Sequence, residues 1–173
     1  MRTFISIDPP AAVRHSIRRC CPQLKDLRLM TAEQLHLTLL FLGKQPHTIR
    51  NSVNRVFGEL TQEPFKICLH GIGQFRSGVI WLGVDSPEPL QQLQQHLSTA
   101  LQRQGVQFEQ HTFHPHLTLA RSHKPLTQTQ VRRFSEAFYD KEFNFTLSSV
   151  LLKKSKLHST GAVHTTLDEW SLE

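Results

Sequence analysis

Disulfide chemistry has little material here. Three cysteines, Cys20, Cys21 and Cys68, form neither an even framework nor a Cys-x-x-Cys metal pair. Vicinal cysteines in a helix cannot easily bridge, so Cys20 and Cys21 read as small buried hydrophobes, and the set suits a reducing compartment. No stretch approaches eighteen uninterrupted apolar residues, which excludes a helical membrane span. The opening MRTFISIDPP lacks the sustained apolar run and small-residue cleavage site of an export signal. The protein is therefore expected in the cytoplasm. A Gly-rich phosphate loop, a GxSxG elbow and a Rossmann fingerprint are also missing, so the common nucleotide-binding and serine-hydrolase signatures do not apply. No low-complexity tract, long linker, charge block or short tandem repeat divides the chain, and residues 1–173 read as one folding unit.

What is present describes a globular, basic protein. Hydrophobic residues make up 38% and charged residues 20%, too apolar a mixture for a disordered chain. Lysine plus arginine outnumber aspartate plus glutamate by 20 to 14, giving a formal charge of +6, and eleven histidines can add to it in mild acid. A polyanionic partner fits that balance, although a solvated basic surface is common in small proteins.

Periodicity predicts alternating strands and helices. Arg2–Asp8 alternates as a strand stopped by Pro9-Pro10, and AAVRHSIRRCCPQLKDL places Val13, Ile17, Cys20 and Cys21 at near-helical spacing, with Pro22 as the expected end or kink of that helix. QLHLTLLFLG reads as a buried strand and PHTIRNSVNRVFGEL as a helix with Ile49, Val53, Val56 and Phe57 on one face. FKICLHGIGQF and GVIWLGV form a hairpin through Arg76-Ser77-Gly78, followed by a helix with a stripe at Leu90, Leu93, Leu97 and Leu101 that ends at Gly105. The HLTLAR strand, a helix around Thr129 to Phe138 and two strand-like runs, NFTLSSVLLKKSKL and AVHTTLDEWSL, complete the chain. The second half echoes the first, which suggests two related lobes.

The echo is sharpest at HLTL, written once from His36 and again from His116, 116 − 36 = 80 positions apart. In a strand the histidine and threonine of each motif share one face, about 7 Å apart at ~3.3 Å per residue, with two leucines behind them. Imidazole gives or takes a proton near neutral pH, and the hydroxyl can donate to a phosphoryl oxygen. Two such strands facing each other would hold a phosphate for in-line displacement without a metal. One His-x-Thr in a strand is ordinary; the repeat shifts the balance towards chemistry.

With these motifs the chain resembles the two-histidine (2H) phosphoesterases, and more closely the RNA 2′,3′-cyclic phosphodiesterases also called 2′-5′ RNA ligases. The similarity spans MRTFISIDPP, LHLTLLFLGK, GVIWLGV, FHPHLTLAR and SVLLKKSKL followed by Gly161 and Trp170. The resemblance implies an α+β fold of two pseudo-symmetric lobes, each an antiparallel sheet with helices on its outer face, and an active site in the cleft between them. It implies hydrolysis of a terminal 2′,3′-cyclic phosphate to a 2′-phosphate, with His36 as proton donor and His116 as proton acceptor. Thr38, Thr118 and Arg121 would bind substrate, and no cofactor or metal is expected. By spacing alone, Arg121 would face away from His116 in an unbroken strand unless the chain turns at Ala120. The implied partners are RNA ends carrying the cyclic phosphate, tRNA fragments among them, met by a monomer. Relatives often carry a tyrosine after the tail glycine where this chain has His164, which leaves any substrate contact of that tyrosine open.

Other readings are weaker. His111, His114 and His116 lie close in sequence, but no carboxylate or second histidine pair has ligand spacing, and His114 reads as a supporting or solvent-facing residue. Phe41, Phe75 and Phe113 can stack a base, though aromatics beside strands are more often core. A phosphodiesterase on another small cyclic phosphate and a non-catalytic RNA-end binding module stand as alternatives.

Overall fold

β1 (Arg2–Ile7) runs inside a sheet rather than along an edge, and it is buried from Thr3 to Ile7 on both of its faces. A computed structural model describes all of residues 1–173. The chain continues through α1 (Ala11–Cys20), β2 (Arg28–Leu29), a 3₁₀ turn at Ala32–Gln34, β3 (Leu37–Lys44) and α2 (Ile49–Glu59). Then follow β4 (Phe65–Phe75), β5 (Val79–Asp85), α3 (Glu88–Arg103), β6 (His116–Arg121), α4 (Gln128–Ala137), β7 (Phe143–Leu147), β8 (Ser149–His158) and β9 (Gly161–Ser171). α4 starts where it does because the Thr127 hydroxyl accepts from the Gln130 amide at 3.1 Å, satisfying an otherwise unpaired helix donor.

All pairings are antiparallel, in the order β7–β4–β5–β6–β3–β1–β8–β9, with β2 added beside β6. The path divides into two four-stranded halves that meet where β3 touches β6, and there the only pair is Leu37 opposite Leu117. A ladder reduced to one pair lets the halves part on either side of it, which opens the cleft between the two HLTL strands. The fold is α+β with two related lobes, as the sequence echo implies. β1-α1-β3-α2 in one half corresponds to β5-α3-β6-α4 in the other.

Helices cover the sheet face opposite the cleft. α1 and α4 lie against β7 and β4, while α2 and α3 pack on each other and against β9 and β3. The Leu90, Leu93, Leu97, Leu101 stripe is buried as its spacing predicts, within a core that joins both halves. One expectation is corrected. NFTLSSVLLKKSKL is not one strand: it breaks at Ser148, where β7 leaves β4 and β8 begins pairing with β1 in the other half. α1 stops at Cys20, just before Pro22 as expected, and the chain beyond forms β2 and the 3₁₀ turn, because Pro22 cannot continue the helix and Arg28–Leu29 finds the free edge of β6.

Candidate active site

His36 stands just before β3 and His116 opens β6, and the same local geometry holds both. The Nδ1–H of His36 donates to the Gln34 carbonyl at 2.6 Å, and the Nδ1–H of His116 donates to the His114 carbonyl at 2.6 Å. A carbonyl can only accept, so each ring carries its proton on Nδ1 and keeps the Nε2 lone pair free. His36, Thr38, His116, Thr118 and Arg121 all line one cleft of about 410 Å³ between the lobes. His114 itself is exposed and contributes its carbonyl, a supporting role; no three His, Cys, Asp or Glu side chains converge as metal ligands around it or elsewhere.

Arg121 reaches the cleft through a β-bulge. Thr118 pairs with Trp81 and Ala120 with Ile80, so Leu119 is an extra residue in β6. Leu119 and Ala120 are both buried, the alternation resets, and Arg121 returns to the face of His116 and Thr118. β3 carries the same bulge: Thr38 pairs with Ser6, Leu40 with Ile5, and Leu39 is the extra residue. Phe41 is therefore the counterpart of Arg121, 57% exposed on the opposite wall. Aligning HLTLLF with HLTLAR would have paired these positions in sequence. Phe41, Phe75 and Phe113 also surround an adjoining cavity of about 450 Å³ that shares Thr38 and His116 with the cleft, which places apolar stacking faces beside the two HLTL motifs.

The two imidazoles differ in what surrounds them. His116 meets Phe75 edge-on at 4.8 Å and the Trp81 ring at 6.1 Å. Trp81 lies so flat over Gly73 that a Cβ there would enter its ring, which is why that position has no side chain. His36 packs on Phe4 at 5.3 Å and on His164 at 5.2 Å. Behind them lies an ion pair that sequence reasoning missed: Lys153, 5% exposed, reaches both carboxylate oxygens of Asp8 at 2.6 Å. Burial pushes the His36 pKa down to about 4, the Gln34 carbonyl opposes that, and the positive Lys153 adds to it. Burial lowers the His116 pKa as well, opposed by its bond to the His114 carbonyl. Arg121 is lowered by burial and by Arg28.

Tertiary contacts also bring His164 into the cleft. The β8–β9 tip is tied down by Arg28, whose Nη1 donates to the Thr160 carbonyl at 2.6 Å, and by Gln34, whose Nε2 donates to the Ala162 carbonyl at 3.4 Å. At Gly161 (φ 126) any Cβ would collide with the Arg28 guanidinium, so only glycine lets that anchor form. The family resemblance singled out position 164, but nothing in the sequence set it beside His36, 164 − 36 = 128 positions away.

Residues 8–156 match the family model of the 2′-5′ RNA ligase superfamily. The chain belongs to that superfamily. It is 31% identical to an RNA 2′,3′-cyclic phosphodiesterase of Escherichia coli over 99% of this chain and 96% of the relative. A second enzyme of that name, from Methanothermobacter thermautotrophicus, is 27% identical over 99% of both chains. Among solved structures, E. coli LigT complexed with 3′-AMP superposes with a TM-score of 0.81 at 29% identity, covering 99% of this chain and 97% of that one. The two-lobed superfamily fold and the two-histidine motifs thus coincide in one chain.

Proposed function

We propose that residues 1–173 form a single two-lobed 2H phosphoesterase domain that opens the 2′,3′-cyclic phosphate at the end of an RNA to a 2′-phosphate. It acts as a cytoplasmic monomer, with tRNA fragments among its substrates and 2′-5′ joining as the reverse reaction. The observation that carries this reading is the matched pair of imidazoles, each pinned through Nδ1 by a bond of 2.6 Å and both lining one cleft of about 410 Å³. The names of the relatives, RNA 2′,3′-cyclic phosphodiesterase, supply the substrate.

In the proposed reaction water attacks phosphorus opposite the 3′ oxygen. His116 Nε2 takes the proton from water as the P–O bond forms, and His36, protonated on Nε2, donates to the 3′ oxygen as its bond to phosphorus breaks. The products are a 2′-phosphate and a free 3′ hydroxyl, with the proton moved from one imidazole to the other. Without an anion beside it, burial keeps His36 neutral at pH 7. The charge of the cyclic phosphate raises its basicity and delivers the protonated form the mechanism needs. Thr38 and Thr118 donate to phosphoryl oxygens and Arg121 balances their charge. The acid and base assignment follows the family resemblance, since near-symmetric strands make the roles geometrically interchangeable.

The test is turnover of 2′,3′-cyclic nucleotides and of an RNA bearing that end, in excess EDTA, with 2′- and 3′-phosphate products resolved. Full chelator-resistant turnover to the 2′-phosphate is expected. Binding without turnover would instead support an RNA-end binding module, and preference for a different cyclic phosphate would replace the substrate.

A further inference from the structure

The cleft holds a third imidazole that the reaction above leaves unused. His164 on β9 lines the same cavity as His36, Thr118 and Arg121. Its ring stands edge-on to Phe4 at 4.9 Å and to His36 at 5.2 Å, wedged between them. Its Nδ1 is buried and has no hydrogen-bond partner. That orphan decides the tautomer. A neutral imidazole carries one N–H, and a buried unpartnered N–H is rarer and costlier than a buried lone pair. The hydrogen therefore belongs on Nε2, the nitrogen left for the cleft.

We propose that His164 is a phosphate-binding residue that presents a neutral Nε2–H donor to a non-bridging oxygen of the substrate phosphate. The proposal rests on the reading of this cleft as a phosphodiesterase site. The tautomer is opposite to that of His36 and His116, whose Nδ1 atoms are tied to carbonyls and whose Nε2 atoms carry lone pairs. Two rings thus stand ready to exchange protons, and the third stands ready only to donate a hydrogen bond. The groups facing His164 from neighbouring elements keep it so. Lys153 from β8 and Arg121 from β6 disfavour a charged ring, Asp8 after β1 opposes them, and burial outweighs each. Protonation would also put a second N–H at the buried Nδ1. A neutral donor keeps its hydrogen bond without placing a further positive charge beside His36, where it would impede protonation of the general acid.

The experiment is a ¹⁵N-histidine long-range correlation spectrum of the whole chain, with His164 identified by the signal lost in His164→Phe. His164 is expected as the Nε2–H tautomer and His36 and His116 as Nδ1–H. Adding inorganic phosphate or adenosine 2′-monophosphate should shift the His164 Nε2–H. His164→Phe keeps the ring packing and removes the donor; it should raise KM for a 2′,3′-cyclic nucleotide, and weaken phosphate binding, about tenfold, the scale of one hydrogen bond to a charged group. His164→Gln, which restores an amide donor near the Nε2 position while losing the aromatic wedge, should recover most of that affinity. Were packing the only role, Phe would behave as wild type and Gln would not, and that pattern overturns the proposal. So does an Nδ1–H tautomer at His164, or no response to phosphate. A wild-type chain that fails to turn over cyclic phosphates yet shows the phosphate-induced shift would remove the reaction proposed above and still support His164 as the anion contact.

Discussion

His36 and His116 owe their orientation to a carbonyl two residues back in each case, so neither ring can rotate without breaking a bond of 2.6 Å. Replacing either with alanine should remove on the order of 10²–10⁴ in rate, the usual contribution of a positioned proton donor or acceptor, while the chain stays folded. A substrate with sulfur at the 3′ bridging position separates the roles, because a thiolate departs without a proton. His36→Ala should be largely rescued by it and His116→Ala should not; the reverse pattern exchanges the assignment. The pH dependence follows from both pKa values lying below the usual 6.5. The productive free enzyme carries one proton shared between the two rings. kcat/KM for a cyclic nucleotide should therefore peak below pH 6.5 and fall as pH rises beyond it, whereas kcat should hold to higher pH because the bound anion raises both imidazoles. A kcat/KM plateau extending through pH 8 would show that burial does not govern these rings.

At the scale of elements, much of the secondary structure is legible in the sequence because the signals are local. The leucine stripe of α3, the Arg76-Ser77-Gly78 hairpin and the HLTL strands all lie within the reach of periodicity and turn chemistry. What is not legible depends on a distant partner. Nothing within NFTLSSVLLKKSKL marks Ser148 as the change of lobe, since both sides are strand-like and only β4 and β1 distinguish them. Lys153 looks like one more lysine on a basic strand, and only folding brings it to Asp8 across 145 residues. That pair clamps the end of β1 to β8. Asp8→Asn leaves a buried ammonium without its counter-charge and should destabilise the fold by about 3–5 kcal/mol in denaturant titration. Replacing Lys153 with Met at the same time should recover a large part of the loss; a double variant as unstable as Asp8→Asn alone would place the damage elsewhere.

Across the whole molecule, the net charge of +6 gains direction from the cleft, where Arg2, Arg28 and Arg121 are gathered. Affinity for an RNA oligomer with a cyclic-phosphate end should fall as salt rises, with a logarithmic slope of about −0.7 for each phosphate contacted. Salt-independent affinity would mean that the basic residues do not track the strand. The sequence by itself determined the chemistry available here: two His-x-Thr pairs with leucines behind them settle which groups share a face, because strand alternation is a property of three consecutive residues. Arg121 lay beyond that rule, since a bulge at Leu119 exists only where β6 must pair with the shorter run of β5. Tertiary structure alone decided that His36 is buried enough to reach a pKa of about 4, that Lys153 and Asp8 lie behind it, and that His164 enters its cleft. Burial and electrostatics depend on what other segments bring to a side chain, and in this fold those segments come from the opposite end of the chain.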